Sequence, residues 1–213
     1  MEVMKTLNYF FLFFFLFGKL TIQVSLAEAP IVKEGFELFS KIEGDVNRDN
    51  YLDSVEIYFK KPNDAITIVT ISNEQKEEKI KVLSKKAICI GCGGAKSSLF
   101  EPLGLFNIKN HDLYFKAAGG SRGLWEMELK WRYDKKIHDF FLSWGKLKQV
   151  DYAEKKEPTV VYEIFFDKKV GNKKIYGSKI KLKKCSLPKD SPAIKFSEFD
   201  FEDLDFEAIC HLY

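Results

Sequence analysis

Residues 125–133 read Trp-Glu-Met-Glu-Leu-Lys-Trp-Arg-Tyr, and this stretch decides the fold class. Trp125, Met127, Leu129, Trp131 and Tyr133 share one parity, while Glu126, Glu128, Lys130 and Arg132 share the other. A helix would scatter those aromatics around its axis. A strand puts every second side chain on one face, so period two over this length predicts a strand with one face in a core and one in water. Asp134-Lys135-Lys136 is read as the turn after it, and Ile137 to Trp144 as the returning strand.

Similar signals run outward in both directions. Ser54 to Phe59 alternates, with Val55, Ile57 and Phe59 on one face, and Ala65 to Ile71 is a β-branched run of the kind found in buried strands. Glu74 to Lys81 is read as a hairpin tip or a single helical turn, Ala87 to Gly91 as a short strand, and Lys109 to Asp112 as a hairpin turn. His138 is placed in a strand. Val160 to Phe166 and Ile175 to Leu182 are read as a hairpin around Gly171-Asn172. Glycines 119, 120 and 123, with Ser121 and Arg122 between them, suit a turn that needs positive dihedrals, and Arg122 is the residue there worth mutating. The expected architecture is mainly β, an antiparallel β-sandwich or meander sheet with little helix. The acidic, aromatic tail from Ser191 is expected to pack its Phe residues on a sheet edge, with a short helix near Glu202 to Cys210.

The N-terminus has the order of a secretory signal: Lys5, a Phe/Leu run from Tyr9 to Phe17, then small residues ending at Ser25-Leu26-Ala27. An apolar run of about nine residues is well short of the roughly 20 that a membrane-spanning helix needs. Residues 1–27 are therefore expected to be removed, leaving residues 28–213 as a single β-rich domain with no transmembrane segment, periplasmic or secreted. Net charge falls only from +3 to +2, since Glu2, Lys5 and Lys19 leave together. Lysines at 168–184 are balanced in the chain by acids at 198–207, so no nucleic-acid partner is expected. Cys89, Cys92, Cys185 and Cys210 allow three pairings; Cys185 with Cys210 and Cys89 with Cys92 is the preferred set for an oxidising compartment.

The chemistry concentrates at Gly44-Asp45-Val46-Asn47-Arg48-Asp49-Asn50-Tyr51-Leu52-Asp53. Calcium takes about six to eight oxygen ligands, which a tight loop supplies when alternate side chains point inward. Taking Asp45 as the first position, Asn47, Asp49, the Tyr51 carbonyl, Asp53 and Glu56 fall where the twelve-residue EF-hand loop places its oxygens. Asn50 stands where that loop wants glycine, and asparagine is the non-glycine residue best suited to a left-handed backbone. The residues that follow alternate as a strand; if it is regular, Glu56 lies on the face opposite Val55 and Ile57, and its part as a ligand stays open. The expected metal ligands are Asp45, Asn47, Asp49, Tyr51 and Asp53, and the expected cofactor is a structural Ca²⁺. The competing reading is a polar turn held by its own side-chain to backbone hydrogen bonds.

This segment resembles the GDxNxDGxxD loops of FG-GAP and VCBS-type exported bacterial proteins, in which the loop binds calcium and leads into a β-strand. The resemblance covers about 15 residues, and the single copy here does not carry over the propeller those families build by repetition. Gly93-Gly94 and Gly119-Gly120-Ser121-Arg122 with Trp125 also resemble features of small exported bacterial proteins that carry one such loop and have no assigned activity.

No H-E-x-x-H pair or phosphate loop is present. Cys89-Ile-Gly-Cys92 has redox spacing but lacks a following helical pattern. The chain is expected to be a binding protein with a protein partner rather than an enzyme. An immunity or inhibitor protein that captures a toxin is the first alternative, favoured by an exposed Phe-rich tail. A hydrolase or carbohydrate-acting enzyme is the second, favoured by a cleft gathering Arg122, His138 and an acid.

Overall fold

The computed structural model describes residues 35–60, 64–72, 78–88, 105–120, 123–151, 159–177 and 179–211, with backbone alone at 78–80, 151, 210 and 211. The chain divides into two units, Met1–Lys33 and Glu34–Tyr213, and every described residue belongs to the second. That unit is mainly β. Strands β1 (Glu37–Gly44), β2 (Asp53–Lys60), β3 (Asp64–Ser72) and β4 (Glu78–Ser84) form a four-stranded antiparallel sheet. Strands β5 (Leu105–Lys109), β6 (Asp112–Gly120), β7 (Gly123–Asp134), β8 (Asp139–Asp151), β9 (Thr159–Phe165), β10 (Val170–Tyr176) and β11 (Lys181–Ser186) form a seven-stranded one. Both are meanders in which each strand pairs with the next in sequence. One short helix, α1 (Phe206–His211), follows them.

The alternation in β7 is kept. Met127, Leu129 and Trp131 are buried, Trp125 and Tyr133 pack partly buried against the same core, and the charged parity faces outward. There Glu128 pairs with Lys116 at 3.1 Å and Glu126 with Lys148 at 3.2 Å, a ladder across β6, β7 and β8. β8 is longer than its sequence suggests because its parity changes midway. Lys130 pairs with Trp144 but Trp131 pairs with Leu142, which leaves Ser143 as a bulge residue. Its hydroxyl donates to the Lys130 carbonyl at 3.0 Å. The bulge turns Phe140 and Leu142 on one side, and Gly145 and Leu147 on the other, onto the same inner face.

The C-terminal segment departs most from expectation. Phe196, Phe199, Phe201 and Phe206 lie inside the core rather than along a sheet edge. β9 pairs with β8 only from Trp144 to Gln149, so the start of β8 has a free edge. The segment takes it, with Leu142 N–H donating to the Ile194 carbonyl and Phe196 N–H to the Phe140 carbonyl. It then crosses to the end of the small sheet, where Phe201 N–H donates to the Lys86 carbonyl and Lys86 pairs with Asp200. The Trp131 ring meets Phe196 and Phe199 edge-on, with centroids 5.3 and 4.8 Å away. This strap and both sheets share one apolar cluster.

Several local elements differ from the sequence expectation. Glu78–Ser84 is a strand, which its four charged or polar residues disguise, and Ala87 and Ile88 form a buried bend after it rather than a strand. His138 (φ 51°) is in the turn between β7 and β8. Gly171 and Asn172 lie within β10, and the turn before it is made by Phe166–Lys168 with Lys169 left-handed at φ 56°. Gly171 is there for closeness: a Cβ on it would stand 2.8 Å from Cys185 Sγ and 3.2 Å from the Glu163 carbonyl. Gly120, the last residue of β6, has the positive dihedral expected of these glycines (φ +112°) and no space for a Cβ beside the Gly123 carbonyl at the start of β7. Arg122, the proposed signal segment and the Cys89/Cys92 pair lie outside the described residues. The helix begins at Phe206, inside the range expected for it.

Candidate metal site

The loop between β1 and β2 is built by its own short polar side chains. Asp45 Oδ1 accepts the N–H groups of Arg48 at 2.7 Å and Asp49 at 3.2 Å, and its Oδ2 accepts Asn50 N–H at 3.1 Å. Asn47 Oδ1 accepts Asp49 N–H at 3.0 Å, and Asp49 Oδ1 accepts Tyr51 N–H at 2.9 Å. These are successive Asx turns, which fold a chain back on itself within a few residues. Arg48 (φ 64°) and Asn50 (φ 67°) take the left-handed conformation this requires, so the position where the EF-hand wants glycine is met by asparagine in the same region of backbone space.

Asp53 closes the loop at the head of β2. Its carboxylate is buried, Oδ2 accepting Val46 N–H at 2.8 Å and Oδ1 accepting Ser72 N–H from the end of β3 at 2.9 Å. Burial pushes this carboxyl up; the two N–H donors oppose that, the charges of Asp49 and Asp45 add to it, and the balance lies above the usual aspartate value. Asp45 shows the opposite balance. Burial raises it, but the N–H groups of Asn50, Arg48 and Asp49, helped by His111, bring it below the usual value.

His111 is the residue that sequence reasoning missed. It sits in the β5–β6 turn with Asn110, both at positive φ, and its Nδ1 is 3.0 Å from the Asp45 carbonyl oxygen and 3.2 Å from Asp45 Oδ2. Sixty-six residues separate the two, and nothing local to either signals the contact. In β7, burial, then the charges of Asp53, Asp139, Asp134 and Asp49, raise the Tyr133 phenol above the usual value. The loop thus faces the end of the large sheet where β5, β6 and β7 turn.

All the sequence-derived ligands belong to this loop, and Glu56 does not join them. It points to the other face of β2, 3.5 Å from Lys41 Nζ and accepting the Tyr58 hydroxyl at 2.8 Å. Among the described residues, no three His, Cys, Asp or Glu side chains stand together as a formed metal site. The donor set nevertheless suits a hard cation. It is all oxygen, and each carboxylate keeps acceptor capacity beyond its N–H partners. One contact has to be exchanged for the ion, since Asn47 Nδ2 now donates to Asp49 Oδ2 at 2.7 Å. Among the described residues, no lysine or arginine pairs with Asp45, Asp49 or Asp53.

Cys185 is buried in β11 and disulfide-bonded, and α1, which carries Cys210, packs against that strand. Comparison with family models, with curated proteins and with solved structures finds no match to this chain. No described helix is long and apolar enough to cross a membrane.

Proposed function

We propose that this chain is an exported binding protein whose Gly44–Asp53 loop holds calcium as a structural staple, with Asp45, Asn47, Asp49, the Tyr51 carbonyl and Asp53 as ligands. The observation that carries this reading is the enclosure of three carboxylates, one of them the buried Asp53, in one Asx-folded loop without a lysine or arginine partner among the described residues. Bound calcium supplies positive charge at the point where those carboxylates repel one another. The chain's own residues do the rest: Asp53 ties the loop to β2 and β3, and His111 ties it to the large sheet. The likeness to strand-leading GDxNxDGxxD loops supports the same assignment, as does the left-handed Asn50.

Export is supported by the order of residues 1–27, and a Cys185–Cys210 bridge by the packing of α1 on β11. The site has the character of a fold-stabilising element, and the protein acts by binding a protein partner rather than by turnover. The tail phenylalanines that would offer a toxin-capturing surface are core residues, so an inhibitor would have to use another face.

Thermal melting with calcium and with a chelator tests the metal assignment. A calcium-dependent rise in the midpoint that Asp49→Ala abolishes is expected; no rise, or a rise that survives the substitution, overturns it. Affinity capture from the exported fraction tests the binding role, and a single stoichiometric protein is the expected result.

A further inference from the structure

The last hairpin of the seven-stranded sheet differs in composition from the rest of the molecule. Residues 167–184 hold eight lysines against one acid, Asp167, in a chain whose net charge is only +3. The acidic 198–207 segment balances these lysines in sequence but pairs with few of them in the fold. Lys173 alone of the hairpin pairs with that segment, 3.2 Å from Glu207 on the inner face. Lys174, Lys179, Lys181, Lys183 and Lys184 form no ion pair with a described residue.

The outer face of this hairpin is also apolar. Val170, Asn172, Lys174 and Tyr176 alternate onto the side opposite Gly171 and Lys173, and the register sets Leu182 beside Lys174 and Lys184 beside Asn172. Val170 is 43% exposed, Tyr176 41% and Leu182 54%, while Ile180, just before β11, is 69% exposed. Beside them the Lys168 ammonium lies 5.3 Å from the centroid of the Phe165 ring. Phe165, Lys168, Val170, Asn172, Lys184 and Ser186 line a groove of about 540 Å³ on this face.

Lysines on an edge strand discourage pairing with another chain, and that accounts for part of the charge. It does not account for aliphatic side chains left open to water among them. A polyanion such as nucleic acid would use the lysines and gain little from Ile180 or Leu182. A lipid surface uses both, since lysines reach headgroup phosphates with their stems along the apolar boundary, where exposed aliphatic and tyrosine side chains are buried.

We infer that the outer face of β10–β11 docks on an anionic phospholipid surface, with Lys174 and Lys184 against headgroup phosphates and Val170, Tyr176, Ile180 and Leu182 in the headgroup–acyl boundary. This surface is independent of the metal loop.

The test is co-sedimentation of the chain from Glu28, in which the compact unit Glu34–Tyr213 is whole, with phosphatidylglycerol–phosphatidylcholine vesicles and with phosphatidylcholine alone. Binding to the anionic vesicles only is expected, reduced but not abolished by high salt. Lys184→Ala should lower partitioning about fivefold, and Leu182→Ser about tenfold. Lys41→Ala, on the other sheet, should leave it unchanged. Both hairpin residues are exposed, so the variants should keep the parent's melting curve. Equal binding to both vesicle types, indifference to the two hairpin substitutions, or equally tight binding to single-stranded DNA with the same loss in salt would each overturn the inference.

Discussion

His111 Nδ1 lies 3.0 Å from the carbonyl oxygen of Asp45 and 3.2 Å from its carboxylate, joining the β5–β6 turn of the large sheet to the first turn of the β1–β2 loop. Close by, a Cβ on Gly44 would stand 2.9 Å from Ile108, so the end of β1 approaches β5 as nearly as backbone permits. The histidine is half in water, so its bond is worth about 0.5 to 1.5 kcal/mol. His111→Ala should lower the melting midpoint by about 1 to 6 °C. A double-mutant cycle with Asp45→Ala should show coupling, and additive effects would mean that the contact contributes nothing to stability.

Calcium should stabilise the fold in proportion to its occupancy. Extracellular loops of this kind bind at roughly 10⁻⁴ to 10⁻³ M, so at about 10 mM calcium the gain is about 1.4 to 2.7 kcal/mol. In a domain of this size that raises the midpoint by about 3 to 10 °C. Glu56→Gln should leave the rise intact, because Glu56 faces Lys41 and Tyr58 across β2.

Asp53 should matter with or without the ion. Asp53→Ala strips the acceptors from Val46 N–H and Ser72 N–H, and each unsatisfied buried donor costs about 1 to 3 kcal/mol. Denaturant unfolding in chelator should therefore show a loss of at least about 2 kcal/mol for Asp53→Ala and a smaller one for Asp49→Ala. Equal losses would place Asp53 among ordinary loop residues.

The strap should be essential to folding. Phe196 is fully buried among Phe106, Trp131 and Phe140, with ring centroids 5.3 to 6.1 Å away. Phe196→Ala should cost about 3 to 5 kcal/mol. An unchanged unfolding midpoint would mean that the tail does not complete the core.

Acid stability should depend in part on Asp200. Its hydrogen bond to Lys86 leads the causes that lower its carboxyl below 3.8, so the folded state releases this proton more readily than the unfolded one. The resulting stabilisation is present above 3.8 and is lost as pH falls through the lower folded value. Asp200→Asn should remove that loss, flattening the acid limb of stability against pH. An acid limb identical to the parent's would mean that the pair is not stabilising in solution.

Much of this was legible in sequence where neighbouring residues share a physical constraint. Trp125 to Tyr133 declares its strand because alternation is a local property, and the loop after β1 declares its turn because the Asp45, Asn47 and Asp49 side chains bond backbone two to five residues on. Asn110-His111 and Gly119 to Gly123 punctuate their hairpins for the same reason. β4 escaped notice because its charged residues mask an inward Val82, and Gly171 was mistaken for a turn because closeness to Cys185 and Glu163 cannot be seen from one strand.

By itself, then, the sequence determined the β class, the Asx-folded loop, the strand that leads from it and the outward charges of β7, all consequences of spacing over a few residues. Only the tertiary structure decided that the phenylalanine tail is core, that His111 abuts Asp45, and that Lys173 of β10 meets Glu207. Those relationships join residues tens of positions apart. They depend on which sheet edge is free, and β8 leaves one because β9 stops short of it.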